Sequence, residues 1–362
     1  MTRASRPGPA GIQVVRATGA AFEVGYAHGA ARAGALRGFV DDGLCRINKL
    51  APAPVSVDSL RPVLTAYDEA IAAAAPALSE EIDGLAAGAG LPRAVAVLLQ
   101  ARREIIGFQR VPARGDCTTY ASLSAGPGGT PVLAQTVDLN GDLDDQIAVL
   151  DVGLSGSGRR ALVLSFGGLL GYLGVNSDGL AIGLNLVLGG QWQPGLPPYL
   201  AIRHLLDNAG CVADALSLLR ELPLASSRSL TLCDRQHVAC IEIIDNEVRL
   251  VQMSPSAHTN HLLHPGFADR DELNVFARNS SLLRLKACQA SLHRISESSR
   301  GAEVEEHFGL LAEPPICVAD TGDIRRERTV AAVVMLPGRG ELHIRPGDPS
   351  RSRTQVFRLA QP

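Results

Sequence analysis

Apolar residues in the first hundred positions recur at helical spacing. Segments 20–36, 57–74, 78–87 and 94–104 carry small and aliphatic side chains three or four positions apart, with charged residues between them. Ser79-Glu80-Glu81 suits a helix start, Gly88-Ala89-Gly90 a stop, and Pro92 the approach to the next helix. Residues 110–115, with Pro112 and Gly115, read as a loop. From Cys117 the period changes to alternation, which predicts strands at 118–123 and 131–137 around a Gly- and Pro-containing hairpin loop at 124–130. Further strands are predicted at 147–152, 161–166 and 180–186, then helices at 200–208 and 213–222. Strands follow at 229–233, 238–244 and 247–252, then a long helix at 273–295. Two closing strands, 329–336 and 341–344, are joined by Pro337-Gly338-Arg339-Gly340. Helices, hairpins, helices and hairpins in that order predict a layered α+β architecture, which helices covering two stacked antiparallel sheets would satisfy.

With 362 residues the chain can build a sizeable core, as one large domain or two ordinary ones. Its 46% hydrophobic and 20% charged residues are ordinary for a soluble globular enzyme. A formal net charge of −3 gives no electrostatic reason to expect nucleic acid or an anionic membrane as partner. Only 4% of residues are aromatic, so the core must be aliphatic and a base-stacking platform is disfavoured. No uninterrupted apolar run reaches membrane-span length, and the first nine residues lack the apolar stretch of a secretory signal. Seven cysteines (Cys45, Cys117, Cys211, Cys233, Cys240, Cys288 and Cys317) are odd in number and form no C-x-x-C pair. That argues against a disulfide framework and a zinc knuckle and for a reducing compartment, so the expected location is cytoplasmic.

Among candidate chemistry, Asp116-Cys117 stands out, because this cysteine heads the alternating run Cys117-Thr118-Thr119-Tyr120-Ala121-Ser122-Leu123. Cutting the bond before it would place a free α-amine beside its own sulfur, a nucleophile and a base on one residue. A cysteine taken at random is more often an interior thiol. His258, His261 and His264 resemble a metal cluster only superficially, since spacings of three on a strand alternate faces. No metal is expected. Asp138-x-Asn140-x-Asp142-x-Asp144 mimics a calcium loop but has Leu143 at the glycine position and Val149 at the twelfth. Gly167-Gly168 and Gly189-Gly190 read as bends, with no G-K-[ST] after either.

Several separated segments coincide with one family. They are Gly19-Ala-Ala-Phe-Glu-Val-Gly25-Tyr-Ala-His-Gly29, Glu80-Glu-Ile-Asp-Gly-Leu-Ala-Ala-Gly-Ala-Gly90, Cys117-Thr-Thr, Ala134-Gln-Thr-Val-Asp138, Asn176-Ser-Asp-Gly-Leu-Ala-Ile-Gly-Leu-Asn185, His258-Thr-Asn-His261, Ser280-Ser-Leu-Leu-Arg284 and Thr329-Val-Ala-Ala-Val-Val-Met335. In that order the chain resembles the acyl-coenzyme A:6-aminopenicillanic acid acyltransferase family, the C45 peptidase-like N-terminal nucleophile hydrolases. The resemblance implies a single four-layer αββα sandwich over residues 1–362, made as a zymogen. Autoproteolysis between Asp116 and Cys117 would leave pieces 1–116 and 117–362 associated. It implies an amidohydrolase or acyltransferase acting on amide or thioester acyl groups through an acyl-enzyme. The partner is then a small-molecule acyl substrate. No cofactor is implied, and acyl-coenzyme A enters only as a candidate substrate.

The same resemblance implies residue roles. Cys117 would attack first the Asp116 carbonyl and later the substrate. Asp138 would orient or pair with its amine, and Asn260 would donate to the tetrahedral oxyanion, a contact typically worth ~3–4 kcal/mol. Asn185 would line the same region, with Gly183 and Gly189 letting backbone approach ligand. Arg284 would hold a substrate carboxylate or a structural acid such as Asp138; an exposed helix arginine is the alternative. Thr119 would lend its hydroxyl to the cleavage turn. Two departures stand out: Asp116 where the penicillin acyltransferase has glycine, and Val137 where a bulky residue is usual. They keep two other readings open: an unprocessed, non-catalytic binding protein on the same fold, and an intact-chain cysteine hydrolase with His258 or His261 as base. Oligomeric state is not legible.

Overall fold

The alternating segments pair into two sheets. The computed structural model describes residues 11–107, 117–123, 130–296 and 303–359. The predicted loop at 110–115, Asp116 and nearly all of the predicted hairpin loop at 124–130 lie outside them. Numbered in chain order, the larger sheet runs β1 (Gln13–Gly19), β4 (Ile147–Leu154), β5 (Arg160–Phe166), β6 (Leu173–Asn176), β7 (Ala181–Asn185), β8 (Arg228–Cys233), β9 (Val238–Ile244) and β10 (Glu247–Gln252). The smaller runs β11 (Ser256–His258), β2 (Thr119–Ser122), β3 (Val132–Leu139), β12 (Arg328–Leu336), β13 (Glu341–Pro346) and β14 (Gln355–Arg358). Only β1 and β4 pair parallel among these strands.

Helices cover both outer faces. α1 (Ala21–Asp41) packs on β1 and β4, and α2 (Ile47–Leu50), α3 (Val57–Ala74), α4 (Pro76–Ala89) and α5 (Arg93–Ile106) build out from it. α6 (Pro198–Asn208) and α7 (Val212–Leu219) complete that layer. α8 (Val275–Ser296) and α9 (Val304–Ala312) lie on the smaller sheet, against β11, β3 and β12. The inner faces of β2, β3 and β12 meet β6, β7 and β8, so the layers are αββα. This is the predicted architecture. Strands β1, β6, β11 and β14 and helices α2 and α9 were not predicted. β6 and β14 are four residues each, too short to show a period, and β1 is a half-exposed edge.

Buried strands read as continuous apolar runs, yet β3 carries Gln135 at its centre. Its side chain crosses between the sheets, accepting from Leu184 N–H (2.9 Å) and donating to Leu184 O (3.2 Å). A Cβ on Gly183 would lie 2.6 Å from that amide and 2.8 Å from Leu133. Gly183 therefore serves sheet stacking rather than ligand approach. Gly189 similarly abuts Arg270 O, at 2.5 Å from a virtual Cβ.

Four glycines set the α1–α4 contact. Gly25 and Gly29 share one face of α1, and Gly84 and Gly88 one face of α4. A Cβ would sit 1.9 Å from Glu81 O at Gly25, 2.3 Å from Leu85 O at Gly29, 2.0 Å from Phe22 O at Gly84 and 2.2 Å from Tyr26 O at Gly88. Backbone thus lies directly on backbone. α4 is tied onward to α6 by a fully buried pair: Arg203 donates to both Glu81 oxygens at 2.9 Å and to Asp207 at 3.0 Å. Such a pair specifies how two helices sit, because losing one partner strands the other charge. Among the described residues no single helix is long and apolar enough to cross a membrane.

Gly84→Ala is expected to destabilise the protein by about 3 kcal/mol or more, since main chain cannot yield as a side chain would. Gly34→Ala, on open α1 surface with nothing within 4 Å, should be neutral or slightly stabilising. Denaturant melts of the two variants check this. His28 is buried on α1, and neither ring nitrogen has a hydrogen-bond partner. Burial first, then Arg32 and Arg203, push its pKa from 6.5 to about 3. As pH falls below 6.5 the unfolded chain takes up this proton before the native one does. Stability present above 6.5 should therefore be lost toward pH 3, by about 1.4 kcal/mol per pH unit. His28→Leu should flatten the pH dependence of the unfolding midpoint by that slope.

Candidate active site

Two residues before β2, where the smaller sheet reaches its end, Cys117 is 5% exposed. Its sulfur accepts from Asp138 N–H at 3.4 Å and donates to Asp138 O at 3.6 Å. Antiparallel pairing of β2 with β3 dictates this. Thr119 faces Gln135, so the chain before β2 runs alongside the last residues of β3. A bulge in β12 at Val330, opposite Val137 and Asp138, falls at the same end.

The Cys117 carbonyl is held twice. Arg284 Nη1 donates to it at 2.7 Å and Asn185 Nδ2 at 3.0 Å. Arg284 also donates from Nη1 to Thr118 Oγ1 (3.2 Å) and from Nη2 to Asn260 Oδ1 (2.9 Å). One guanidinium on α8 thereby joins β2 to the loop after β11, while Asn185 reaches across from the larger sheet. Thr136 Oγ1 accepts from Thr118 N–H and donates to Asp138 Oδ2, both at 3.0 Å.

Asn260 is itself anchored. Its Nδ2 donates to Leu186 O at 2.9 Å and its main-chain N–H to Ser281 Oγ at 2.8 Å. Beneath that loop, Glu242 accepts from Leu263 N–H, His264 N–H and His258 Nε2, and His258 Nδ1 meets Thr259 O at 2.7 Å. The three hydrogen bonds and His258 hold the Glu242 carboxyl below its ordinary range despite burial. His261 Nδ1 lies 2.7 Å from Ser281 Oγ, and His264 Nδ1 accepts from Gly266 N–H. The three rings thus turn to different partners. In the calcium-like stretch, Asp142 and Asp144 pair with Arg328 at 3.2 and 2.6 Å.

A cavity adjoins Cys117 and Asp138. Phe39 of α1, Leu99 of α5, Phe166 and Tyr172 give it apolar walls, and Arg102 and Arg103 of α5 bring charge. Tyr172 stacks on Tyr199 with centroids 5.0 Å apart and takes Phe166 edge-on at 5.1 Å. Burial, then the neighbouring Cys117 and Tyr199, push the Tyr172 phenol well up, so it remains a neutral donor. No histidine lines the cavity among the described residues.

The structure thus brings Cys117, Asp138, Asn185, Asn260 and Arg284 to one place. It corrects one alternative. Arg284 is fully buried rather than exposed, and its Nη atoms clamp the Cys117 main chain and Asn260. Asn185 Nδ2 donates to Cys117 O, and Thr119 Oγ1 donates to Leu184 O at 3.4 Å, while the expected cleavage turn before Cys117 lies outside the described residues. Asp116 lies outside the described residues. Sequence reasoning missed Thr136, Tyr172 and the Arg102-Arg103 pair. The last was signalled by a charged run, Arg102-Arg103-Glu104, near the end of a largely apolar helix.

The model of the acyl-coenzyme A:6-aminopenicillanic acid acyl-transferase family matches residues 124–351, a stretch that holds Asp138, Asn185, Asn260 and Arg284 and begins after Cys117. Similar solved structures include penicillin V acylase from Agrobacterium tumefaciens (16% identity, 67% of this chain and 86% of that one, TM-score 0.46). A mutant of conjugated bile acid hydrolase from Clostridium perfringens matches at 9% identity over 68% of this chain and 97% of that one, TM-score 0.45. The N-acylethanolamine-hydrolyzing acid amidase ortholog of Caenorhabditis elegans matches at 15% identity over 67% and 100%, TM-score 0.45.

Arg284→Met is expected to destabilise the protein by about 2–4 kcal/mol, because it withdraws a charged donor from buried oxygens of Cys117 and Asn260. Arg284→Lys should recover only part, since a point ammonium cannot span both acceptors. Urea titration of the three proteins checks the order.

Proposed function

The chain belongs to the acyl-coenzyme A:6-aminopenicillanic acid acyl-transferase family, and from that membership we propose a self-processing amidohydrolase or acyltransferase whose nucleophile is Cys117. One observation carries the reading. The Cys117 carbonyl is fixed by two donors at 2.7 and 3.0 Å while its sulfur rests on the Asp138 main chain beside a cavity. A residue pinned on both its main chain and its sulfur presents that sulfur in one direction, which is what nucleophilic catalysis requires.

In the proposed maturation the sulfur attacks the Asp116 carbonyl carbon, and the Asp116–Cys117 C–N bond breaks as a thioester forms. Water then cleaves that thioester, leaving the Asp116 carboxylate and the Cys117 α-amine. In turnover the amine takes the thiol proton as the sulfur attacks the substrate carbonyl, and returns it to the leaving group. Asp138 is the acid at hand to orient the ammonium, and Asn185 Oδ1, which has no donor, is a second acceptor on a residue already bonded to Cys117. Asn260 spends one amide hydrogen on Leu186 O and keeps the other for the tetrahedral oxyanion. Water or a second amine as acceptor separates hydrolysis from transfer.

Intact mass spectrometry should find species corresponding to 1–116 and 117–362, and Cys117→Ala a single inert chain. Incubation with N-acyl amino acids, short peptides and acyl thioesters should add one acyl mass to the 117–362 piece. Uncleaved wild-type protein that turned over substrate would overturn the processing step. An uncleaved, inert one would favour the binding-protein reading.

A further inference from the structure

We propose that the cavity beside Cys117 selects substrates bearing a free carboxylate, which Arg102 and Arg103 receive; the inference takes Cys117 as the reacting residue. Both arginines line the cavity that contains Cys117 and Asp138. Their protein hydrogen bonds go to neutral carbonyls: Arg102 Nε donates to Cys45 O at 2.7 Å, and Arg103 Nη1 to Gly107 O at 3.3 Å. Among the described residues neither makes an ion pair, although the third arginine on the same wall, Arg228, does so with Glu104 at 3.0 Å.

Aromatic rings fix both groups in place. Arg102 lies over Phe39 (5.8 Å), and Arg103 over Trp192 (5.6 Å). Arg102 Nη2 is buried without any partner, and burial lowers this arginine to about 10, which still leaves it charged. The acids on the cavity wall are Asp138, bonded by Thr136, and Glu327, which raises Arg103 electrostatically. Two guanidinium groups held at one wall without carboxylates in contact are the arrangement a carboxylate completes through paired charge-assisted hydrogen bonds. Phe39, Leu99, Phe166 and Tyr172 leave the remainder of the ligand an apolar environment.

A carboxylate can come from either side of the scissile bond: from the amine, as in an N-acyl amino acid, or from the acyl group, as in a dicarboxylic monoamide. Matched pairs distinguish them. N-octanoylglycine against octanoylglycinamide tests the first, and glutaric monoanilide against valeric anilide the second. Binding to purified wild-type protein is read by calorimetry, and turnover by release of the amine. The charged member of one pair should bind at least tenfold tighter, and that pair identifies the side. Arg102→Gln and Arg103→Gln should each cut the preference about tenfold, and the corresponding lysine variants should restore part of it, which a folding defect would not do. A preference below twofold in both pairs, or one that survives both glutamine variants, overturns the subsite. Turnover without preference removes the subsite and leaves the nucleophile standing. Preference without turnover or cleavage does the reverse.

Discussion

The buried guanidinium of Arg284 is the constraint on which the site depends. It donates to Cys117 O, Thr118 Oγ1 and Asn260 Oδ1, so three segments distant in sequence meet on one planar group. A charge without exposure is tolerable only when hydrogen bonds compensate its burial, and here the compensating bonds are also the positioning ones. The start of β2, the loop after β11 and α8 cannot shift independently without exposing that charge to an empty interior. The fixed position of Cys117 thus follows from the cost of burying a cation.

Sheet stacking supplies the other half. Asn185 reaches Cys117 from the larger sheet because Gln135 and Gly183 bring β3 and β7 close enough to hydrogen-bond across the inner layer. On the outer face, glycine contacts between α1 and α4 and the Arg203–Glu81 pair fix the helical layer. α5 then carries Leu99, Arg102 and Arg103 to the cavity wall, and Glu104 of the same turn reaches Arg228 on β8. The residues around Cys117 come from β3, β7, the loop after β11 and α8, while Arg102 and Arg103 come from a helix N-terminal to the proposed cleavage site. The Cys117 surroundings and the cationic cavity wall are thus built from different stretches of the chain, joined through the packed layers.

The chain's pattern determined which segments are helices and strands: α1 and α3 repeat apolar residues three and four apart, whereas β3, β8, β9 and β12, buried along nearly their whole length, are short apolar-rich runs bounded by turn residues. Matching segments along the chain also named Cys117, Asp138, Asn185, Asn260 and Arg284 as one constellation. What each of them touches was a tertiary decision. Nothing local distinguishes an arginine on α8 that reaches substrate from one that clamps a main-chain carbonyl, since direction depends on which layer lies beneath the helix. Gly25, Gly29, Gly84 and Gly88 showed their four-residue spacing in the sequence, but only the crossing of α1 and α4 made that spacing a contact. Strands of four residues such as β6 and β14, and the meeting of Arg102 and Arg103 with a cavity built from both sheets, arise from long-range packing that no short window of sequence contains.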